Sequence, residues 1–397
     1  MTRPGPWSVL GAGAVASIGT GVAEFFDALC AGKQGLAPLR GFDPGNYRST
    51  SAYEIDDRPG PGRDVAGRAT SFLLAAITEA LADAGLGDEL GGEIPVLVGT
   101  GLRELRSAEL WSRGLAECDP RRLHFGAALR ERFGAVDTHT FANACSASLY
   151  ALALGADLLA ADEADTVVIA GVDTITESMF GLLDRVHPRP VDAVRPFDRD
   201  RRGVLMGDGA AAVVLARAGR PPAGPGGPAG RPRRAELAAV AVNCDAHHTT
   251  APDRAGIVAA MRDAHARAGI DADAVDLVVA HGTGTLLNDE TEADALREVF
   301  LADQGADGAG GPLVSAIKSM TGHTSGASGL QGLVVACEAL RSSRVPPITG
   351  LFDPVEQAAG LRLVRGAPTA AEPMDVAQVE AFGFGGVNAV AIVRSAR

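Results

Sequence analysis

The sequence predicts an α/β protein built from two duplicated halves. Three kinds of segment occur twice in the same order, and a Pro/Gly/Arg-rich stretch separates the two sets. Each set alternates helical periodicity with short apolar strands, which is typical of a sheet covered by helices. We therefore predict an N-terminal half over residues 1–218, a connection over 219–234 and a C-terminal half over 235–397.

The first repeated segment is a helix and a turn followed by a strand that ends in Gly-Thr-Gly. Residues 67–102 contain GRATSFLLAAITEALADAGL and then IPVLVGTGL, and residues 255–285 contain AGIVAAMRDAHARAGI and then VDLVVAHGTGT. In both copies a helical period gives way to a short apolar run, which predicts a buried strand.

The second repeated segment is a small-residue loop that leads into an apolar helix. It occurs at residues 143–162 and again at 322–343, which places Cys145 and His323 near the starts of comparable helices. Corresponding loops of duplicated halves usually meet about a pseudo-twofold axis. We therefore expect Cys145, His323 and His281 on one side of the molecule.

The third repeated segment closes each half with a Gly-rich turn and a strand. Residues 202–218 and 380–396 both place glycines before an apolar run, as expected for buried strands. Within the second copy, EAFGFGGVNAV is predicted to be a tight turn that brings backbone N–H groups near a reacting carbonyl oxygen. The N-terminal GAGAVASIGTG lacks GxGxxG spacing and a suitably placed acidic residue, so we reject nucleotide binding.

Composition limits the classes of function. The 397 residues, 46% of them hydrophobic, can bury a large core, and a formal charge of −13 argues against general affinity for nucleic acid or anionic membranes. The chain has no apolar run of about 18 residues, and its start lacks the pattern of a secretion signal. The five cysteines are widely separated without metal-ligand spacing, so we predict no metal site and a cytoplasmic location.

Cys145 is the predicted nucleophile. It lies in ANACSAS, directly before a segment rich in helix formers, and a helix N-terminus stabilises a thiolate through its dipole and unpaired N–H groups. The other cysteines are interpreted as buried structural residues. They are Cys30, Cys118, Cys244 and Cys337.

Two histidines follow apolar strands, and one of them lies near a rare lysine. His281 opens HGTGTLLNDETE, while His323 lies five residues after Lys318 in a chain whose only other lysine is Lys33. One histidine could serve a reactive cysteine as a general base, whereas two with a lysine suit stabilisation of an enolate or oxyanion. The remaining histidines, among them His124, His139, His187 and His265, are interpreted as structural.

Together these motifs resemble the β-ketoacyl-ACP synthases of thiolase-like fold, from near Ser8 to the C-terminus. The matching segments, in order, are YRSTSAYEI, NACSAS, RPFDRDRRGVLMGDGAA, DAHHTTAPD, HGTGTLLNDETE, KSMTGHTSGASG and FGFGGVNA. The resemblance implies a five-layered αβαβα fold of two similar halves, normally dimeric. It also implies that the chain acts with an acyl carrier protein bearing phosphopantetheine, as a homodimer or as one subunit of a ketosynthase heterodimer.

The resemblance implies catalytic roles for the matching residues. Cys145 would carry the acyl group, and His281 and His323 would assist malonyl decarboxylation and hold the enolate. Lys318 would orient or tune His323. Its carboxylate partner would be Glu292, and Asp289 would be a further supporting residue.

The resemblance also implies how substrates are held. Thr283 and Thr285 would contact the phosphopantetheine arm, and the N–H groups of Cys145 and Phe384 would form the thioester oxyanion hole. Phe384 would also gate access. Acyl transfer to Cys145, followed by decarboxylative condensation, requires no metal, nucleotide or redox cofactor. Since carrier proteins of this class are acidic, an Arg-rich face is expected at the entrance, with Arg199, Arg201 and Arg202 as candidates.

Three departures from the family pattern leave the acyl substrate, pocket shape and dimer geometry open. Asn143 stands where the family usually has Thr, and VLVGTGLREL lacks the glycine pair that commonly follows its GTG. The stretch from Arg103 to Thr140 is also shorter than in typical elongating members of the family.

Four other functions compete with this interpretation. A chain-length partner would lack the nucleophile, a degradative thiolase would need a second cysteine in FGFGGVNA, and an initiating synthase would carry Asn in place of His323. The remaining alternative is an acyltransferase that moves the acyl group from a carrier protein to a non-malonyl acceptor without elongation. The intact His281, His323 and Lys318 favour decarboxylation.

Overall fold

The computed structural model describes residues 5–60, 62–217, 233–302, 310–370 and 373–396. The connection predicted over 219–234 lies, apart from its last two residues, outside the described residues, so its bounds stay a prediction. The helices are α1 (Val22–Cys30), α2 (Arg68–Ala84), α3 (Leu105–Ser112), α4 (Gly126–Phe133), α5 (Ala147–Ala160), α6 (Glu177–Val186), α7 (Arg254–Ala268), α8 (Leu286–Phe300), α9 (Lys318–Thr321) and α10 (Ser328–Ser342).

The strands of the large sheet account for most of the β-structure. They are β1 (Trp7–Ala16), β2 (Gly19–Thr20), β5 (Val96–Gly99), β6 (Thr138–Phe141), β7 (Thr166–Asp173), β8 (Gly209–Arg217), β9 (Ala235–Cys244), β10 (Leu277–Val279), β11 (Leu313–Ser315), β13 (Arg362–Leu363), β15 (Val376–Gly383) and β16 (Val387–Ser395). Two small ribbons pair β3 (Ala37–Pro38) with β4 (Ser51–Ala52) and β12 (Arg344–Val345) with β14 (Thr369–Ala370).

The two halves of the sheet repeat one strand order. The first runs β6-β5-β7-β8-β1 and the second runs β11-β10-β15-β16-β9. In each half the first two pairings are parallel and the last two are antiparallel. A short antiparallel pairing of β1 with β9 joins the halves. The duplication predicted from the sequence is therefore confirmed in the sheet.

Helices cover both faces of this sheet, in five layers. Apolar side chains of α5 and α10, such as Leu149, Leu152, Leu330 and Leu333, pack into one core with residues from both halves of the sheet. The outer face of the first half packs against α2, and the outer face of the second packs against α7 and α8. Burial on both faces explains why these strands are continuous apolar runs. No helix within the described ranges is long and apolar enough to cross a membrane.

The central helices α5 and α10 begin in the same way. Each follows a single 3-10 turn, at Ala144–Ser146 and Ser325–Ala327, and the first residue of each turn has a positive φ, 60° at Ala144 and 46° at Ser325. Cys145 and Gly326 are the second residues of these two turns. The prediction that Cys145 and His323 hold comparable places is therefore correct for the turns, whereas His323 itself lies just upstream of the position that corresponds to Cys145.

Candidate active site

Cys145 lies in the 3-10 turn that opens α5, where two backbone N–H groups meet its sulfur. One is its own N–H and the other is that of Phe384, in the hairpin between β15 and β16. The hairpin approaches so closely that a Cβ on Gly383 would lie 3.3 Å from the Cys145 nitrogen and 2.8 Å from the Val387 side chain. A side chain at position 383 would therefore force Val387 and the Cys145 turn to shift. The two N–H groups predicted to form an oxyanion hole converge on one atom, the Cys145 sulfur.

The pKa of the Cys145 thiol differs in direction from the sequence-based prediction. Burial raises this pKa to about 11, while the Lys318 ammonium and the two N–H groups act against the rise. The nearby Asp173 carboxylate raises it further. The stabilised thiolate predicted from the helix N-terminus is therefore wrong for the resting site, because burial outweighs the positive groups and keeps the sulfur protonated at neutral pH.

His323 presents one free nitrogen. Its Nδ1 accepts a hydrogen bond from the Ser325 N–H at 3.2 Å, so the proton of the neutral ring lies on Nε2. Burial and the Lys318 charge lower the pKa of His323 well below its usual value, which keeps the ring neutral. Nε2 is buried and has no hydrogen-bond partner among the described residues, so His323 offers an unpaired N–H donor.

Lys318 hydrogen-bonds His281 rather than His323. Its ammonium donates to the His281 carbonyl oxygen and lies 3.4 Å from His281 Nδ1, which places the ring proton on Nε2. Of the two roles predicted for Lys318 toward His323, orienting or tuning, the electrostatic one fits this geometry, because Lys318 acts on His323 through its charge. The reason is topological: β10 and β11 are parallel neighbours, so Lys318 after β11 meets His281 after β10.

The two imidazoles form one face of the site. Their ring centroids are 5.5 Å apart at 83°, and the Phe382 ring packs against His281 at 5.7 Å. Burial, Lys318 and His323 all lower the pKa of His281 well below its usual value. Because the charge of Lys318 also lowers the pKa of Cys145, the structure brings the predicted thiol and both predicted histidines around a single ammonium.

Glu292 holds the backbone of the His281 turn. Its carboxylate accepts the His281 N–H at 2.6 Å, the Gly282 N–H at 2.8 Å and the Asn288 amide at 2.9 Å. Among the described residues it forms no ion pair with Lys318 within 4 Å, so its predicted role as the carboxylate partner of Lys318 would be exerted through charge alone. Its charge nevertheless raises the pKa of Lys318, which burial lowers to about 8 overall.

Asp289 supports the next part of the same turn. It accepts the N–H groups of Thr283 and Gly284 and that of Phe197 at 2.8 Å. The Thr283 and Thr285 hydroxyls lie 2.9 Å apart, and Thr285 caps α8. The predicted pantetheine-binding hydroxyls are thus adjacent, with Thr283 buried and Thr285 half-buried.

Asp173 is a site residue that the sequence-based reasoning missed. It ends β7, is fully buried, and accepts hydrogen bonds from the Thr100 hydroxyl and from the N–H groups of Gly101, Leu102 and Gly326. It therefore ties the GTG turn after β5 to the turn that precedes α10. An acidic residue at the end of the apolar run TVVIAGVD was the available signal.

Two further sequence-based assignments need correction. Arg201 is buried rather than exposed, because its guanidinium bonds the Thr285 and Leu286 carbonyls and the Glu290 carboxylate. It fixes the start of α8 instead of facing a partner. Cys244 is exposed and Cys118 is half-buried, so only Cys30 and Cys337 fit the buried structural interpretation.

Comparison with protein families matches residues 135–220 to the β-ketoacyl synthase N-terminal domain and residues 234–352 to its C-terminal domain. The 3-oxoacyl-[acyl-carrier-protein] synthase 2 of Vibrio cholerae is 30% identical, over 96% of this chain and 96% of its own length. The putative polyketide beta-ketoacyl synthase 1 of Streptomyces halstedii is 32% identical, over 87% of this chain and 88% of its own. The solved ishigamide ketosynthase/chain length factor has a TM-score of 0.85 at 30% identity, over 98% of this chain and 99% of that one.

The fold and these similarities define an acyltransferase with the thiolase-like architecture. The chain belongs to the β-ketoacyl synthase family. Its reaction is the condensation of acyl units in fatty acid or polyketide biosynthesis.

Proposed function

We propose that Cys145, His281 and His323 form a Cys-His-His triad that condenses a malonyl-carrier with a Cys-bound acyl group. The observation that carries this proposal is the pair of neutral imidazoles, each with its proton on Nε2, beside a thiol that two backbone N–H groups contact. Neutral donors suit an enolate, because they stabilise developing negative charge without first losing a proton themselves.

The first half-reaction is acyl transfer to sulfur. Cys145 attacks the thioester carbonyl of an acyl-carrier, and the carbonyl oxygen receives the Cys145 and Phe384 N–H groups. The Cys145–acyl bond forms as the bond to the pantetheine sulfur breaks, and the thiol proton leaves with that sulfur. Because burial keeps the resting thiol protonated, this proton transfer accompanies the attack.

The second half-reaction is decarboxylation and carbon–carbon bond formation. The malonyl thioester oxygen accepts the Nε2–H groups of His281 and His323, carbon dioxide leaves, and the resulting enolate attacks the acyl-Cys145 carbonyl. Cys145 departs as a thiolate, which takes up a proton after release. Lys318 stabilises that thiolate, since its ammonium lowers the pKa of Cys145.

The carrier and its phosphopantetheine arm are assigned to the face around Thr283 and Thr285. Leu286 and Leu287, exposed in the first turn of α8, provide apolar contact beside these hydroxyls. Arg199 and Arg202 are the exposed cations nearby, in ion pairs with Asp353 and Asp192. Relatives described as acyl-carrier-protein synthases support an acyl carrier protein as the partner. An acidic carrier would complement these arginines.

Assembly and location complete the proposal. The free edge of β6 is half-exposed, and an exposed edge strand is a ready site for pairing with another chain. We assign it to a homodimer or, as the description of the ishigamide ketosynthase/chain length factor suggests, to a heterodimer in which this chain is the catalytic subunit. Residues 1–218 would supply the nucleophile and residues 235–397 both histidines. The five free cysteines fit a reducing cytoplasm.

Decarboxylation without condensation tests this proposal against simple acyl transfer. In Cys145→Gln the glutamine amide mimics the acylated cysteine but cannot be attacked by the enolate. The variant should therefore release carbon dioxide from a malonyl-carrier without condensation. Adding His281→Ala or His323→Ala should abolish that release, whereas His124→Ala, a change at an exposed histidine outside β6, should not. Absence of release from Cys145→Gln would favour the non-elongating acyltransferase.

A further inference from the structure

A line of buried polar side chains runs behind the site. Alternate side chains of β15 face the outer helices, and among them Gln378 is fully buried and Glu380 is 3% exposed. The Gln378 amide donates to Glu380 Oε1 at 2.6 Å, and its oxygen lies 2.6 Å from Nε2 of His265 on α7. His265 therefore donates to Gln378, which in turn donates to Glu380.

Glu380 directs its second oxygen at another acid. No N–H or hydroxyl among the described residues donates to Glu380 Oε2, and the Glu292 carboxyl is close enough for the two side chains to share a hydrogen bond. Two carboxyl groups can bond only if one of them carries a proton. Glu292 already accepts three N–H groups, so Glu292 is the anion and Glu380 is the acid.

We propose that Glu380 is a positioning residue whose proton binds Glu292 and fixes a single negative charge behind His281 and Lys318. The inference rests on the proposed roles of His281 and Lys318 in decarboxylation. Every hydrogen bond in the line is directed toward Glu292, from His265 through Gln378 and Glu380. The Glu292 oxygens then hold the His281 and Gly282 N–H groups in place.

The charges that face this carboxyl pair explain why one proton is retained. Burial and the Glu292 charge raise the pKa of Glu380 well above its usual value. Lys318 from α9 favours one anion at Glu292, and Asp289 on α8 adds a nearby carboxyl. His265, the remaining titratable group of the line, is neutral because burial lowers its pKa. A second negative charge would draw Lys318 away from the His281 carbonyl and separate the two acids.

A matched pair of substitutions separates positioning from packing. Glu380→Gln keeps the shape and can still donate to Glu292, whereas Glu380→Met fills similar space without a donor. We expect decarboxylation in the Cys145→Gln background to fall at least about tenfold with Glu380→Met, and Glu380→Gln to restore most of that loss. Equal rates for the two variants, whether both slow or both unimpaired, would overturn the positioning role.

Infrared spectroscopy tests the proton directly and needs no substrate. The difference spectrum of wild type against Glu380→Gln at neutral pH should contain the C=O stretch of a protonated carboxyl, which shifts when glutamate is labelled with ¹³C. Asp173 and Asp289, whose pKa values are raised to about 6, occur in both proteins and cancel. Absence of the band overturns the shared proton and leaves the proposed condensation untouched. If the band is present but Cys145→Gln releases no carbon dioxide, the proposed reaction fails instead.

Discussion

Lys318→Met separates the functional from the structural role of the buried ammonium. Burial lowers the pKa of Lys318 from 10.5 to about 8, so keeping this charge inside costs about 3 kcal/mol at neutral pH. Met has similar length and no charge, but it cannot donate to the His281 carbonyl, and leaving that oxygen unpaired costs about 1–3 kcal/mol. The two effects offset each other, so the free energy of unfolding should change by less than about 2 kcal/mol at neutral pH.

The burial cost of the Lys318 charge predicts how the stability difference between wild type and Lys318→Met changes with pH. Below pH 8 the lysine is protonated in both the folded and the unfolded chain, so the cost of burial is fully present. Between pH 8 and 10.5 the folded state loses this proton first, and the cost disappears as the pH rises. The stability of wild type relative to Lys318→Met should therefore increase through this window by up to about 3 kcal/mol.

Urea denaturation at a series of pH values measures this difference, with Lys33→Met as the control. Lys33 is exposed and donates to the Ile18 carbonyl, remote from the proposed chemistry. Lys318→Met should also slow decarboxylation by about a hundredfold or more, because the site loses the charge that helps keep both imidazoles neutral and the group that holds the His281 carbonyl. If Lys318→Met lowered the free energy of unfolding by several kcal/mol equally at every pH, the lysine would be a structural ion-pair partner. That result would contradict the predicted cost of burying its charge.

Three other predictions concern neighbouring groups. Asp173→Asn should lower the free energy of unfolding by about 2–4 kcal/mol, because the amide NH₂ group would replace an oxygen that accepts hydrogen bonds from backbone N–H groups. An unchanged free energy of unfolding in urea denaturation would contradict the role of Asp173 in linking the turn after β5 to the turn before α10. Iodoacetamide inactivation through Cys145 should accelerate with pH without levelling below about pH 10, whereas a plateau near neutrality would indicate a stabilised thiolate. Arg201→Ala should lower the melting temperature, while Arg199→Ala should weaken carrier binding alone; the reverse pattern would reject the corrected assignment of Arg201.

Most of the fold and the identity of the site residues could be predicted from local sequence motifs. The duplicated strand order follows from apolar runs and Gly-rich turns that recur in the same order in the sequence. The residues alone predicted Cys145 as the nucleophile and a Gly-rich turn that presents backbone N–H groups, whereas the choice of Phe384 came from the family resemblance. These features depend on residues close together in the chain.

Contacts between distant segments could not be predicted in this way. Lys318 is five residues from His323 in sequence, but the parallel pairing of β10 with β11 brings it to His281. The RDRR stretch was predicted to contribute an Arg-rich face at the entrance, although Arg201 is buried against the start of α8. Burial likewise raises the pKa of Cys145, and it involves segments distant in sequence, such as the β15–β16 hairpin that approaches this turn.

Intact-mass analysis of the acyl-enzyme tests the central claim most directly. Incubation with an acyl-carrier thioester should add one acyl mass to wild type and to the control variant Cys244→Ala, and none to Cys145→Ala. Cys244 is the matched control because it is an exposed thiol whose sulfur contacts the Gly385 carbonyl of the same hairpin. Acylation that persists in Cys145→Ala, or that disappears in Cys244→Ala, would contradict the assignment of Cys145 as the nucleophile.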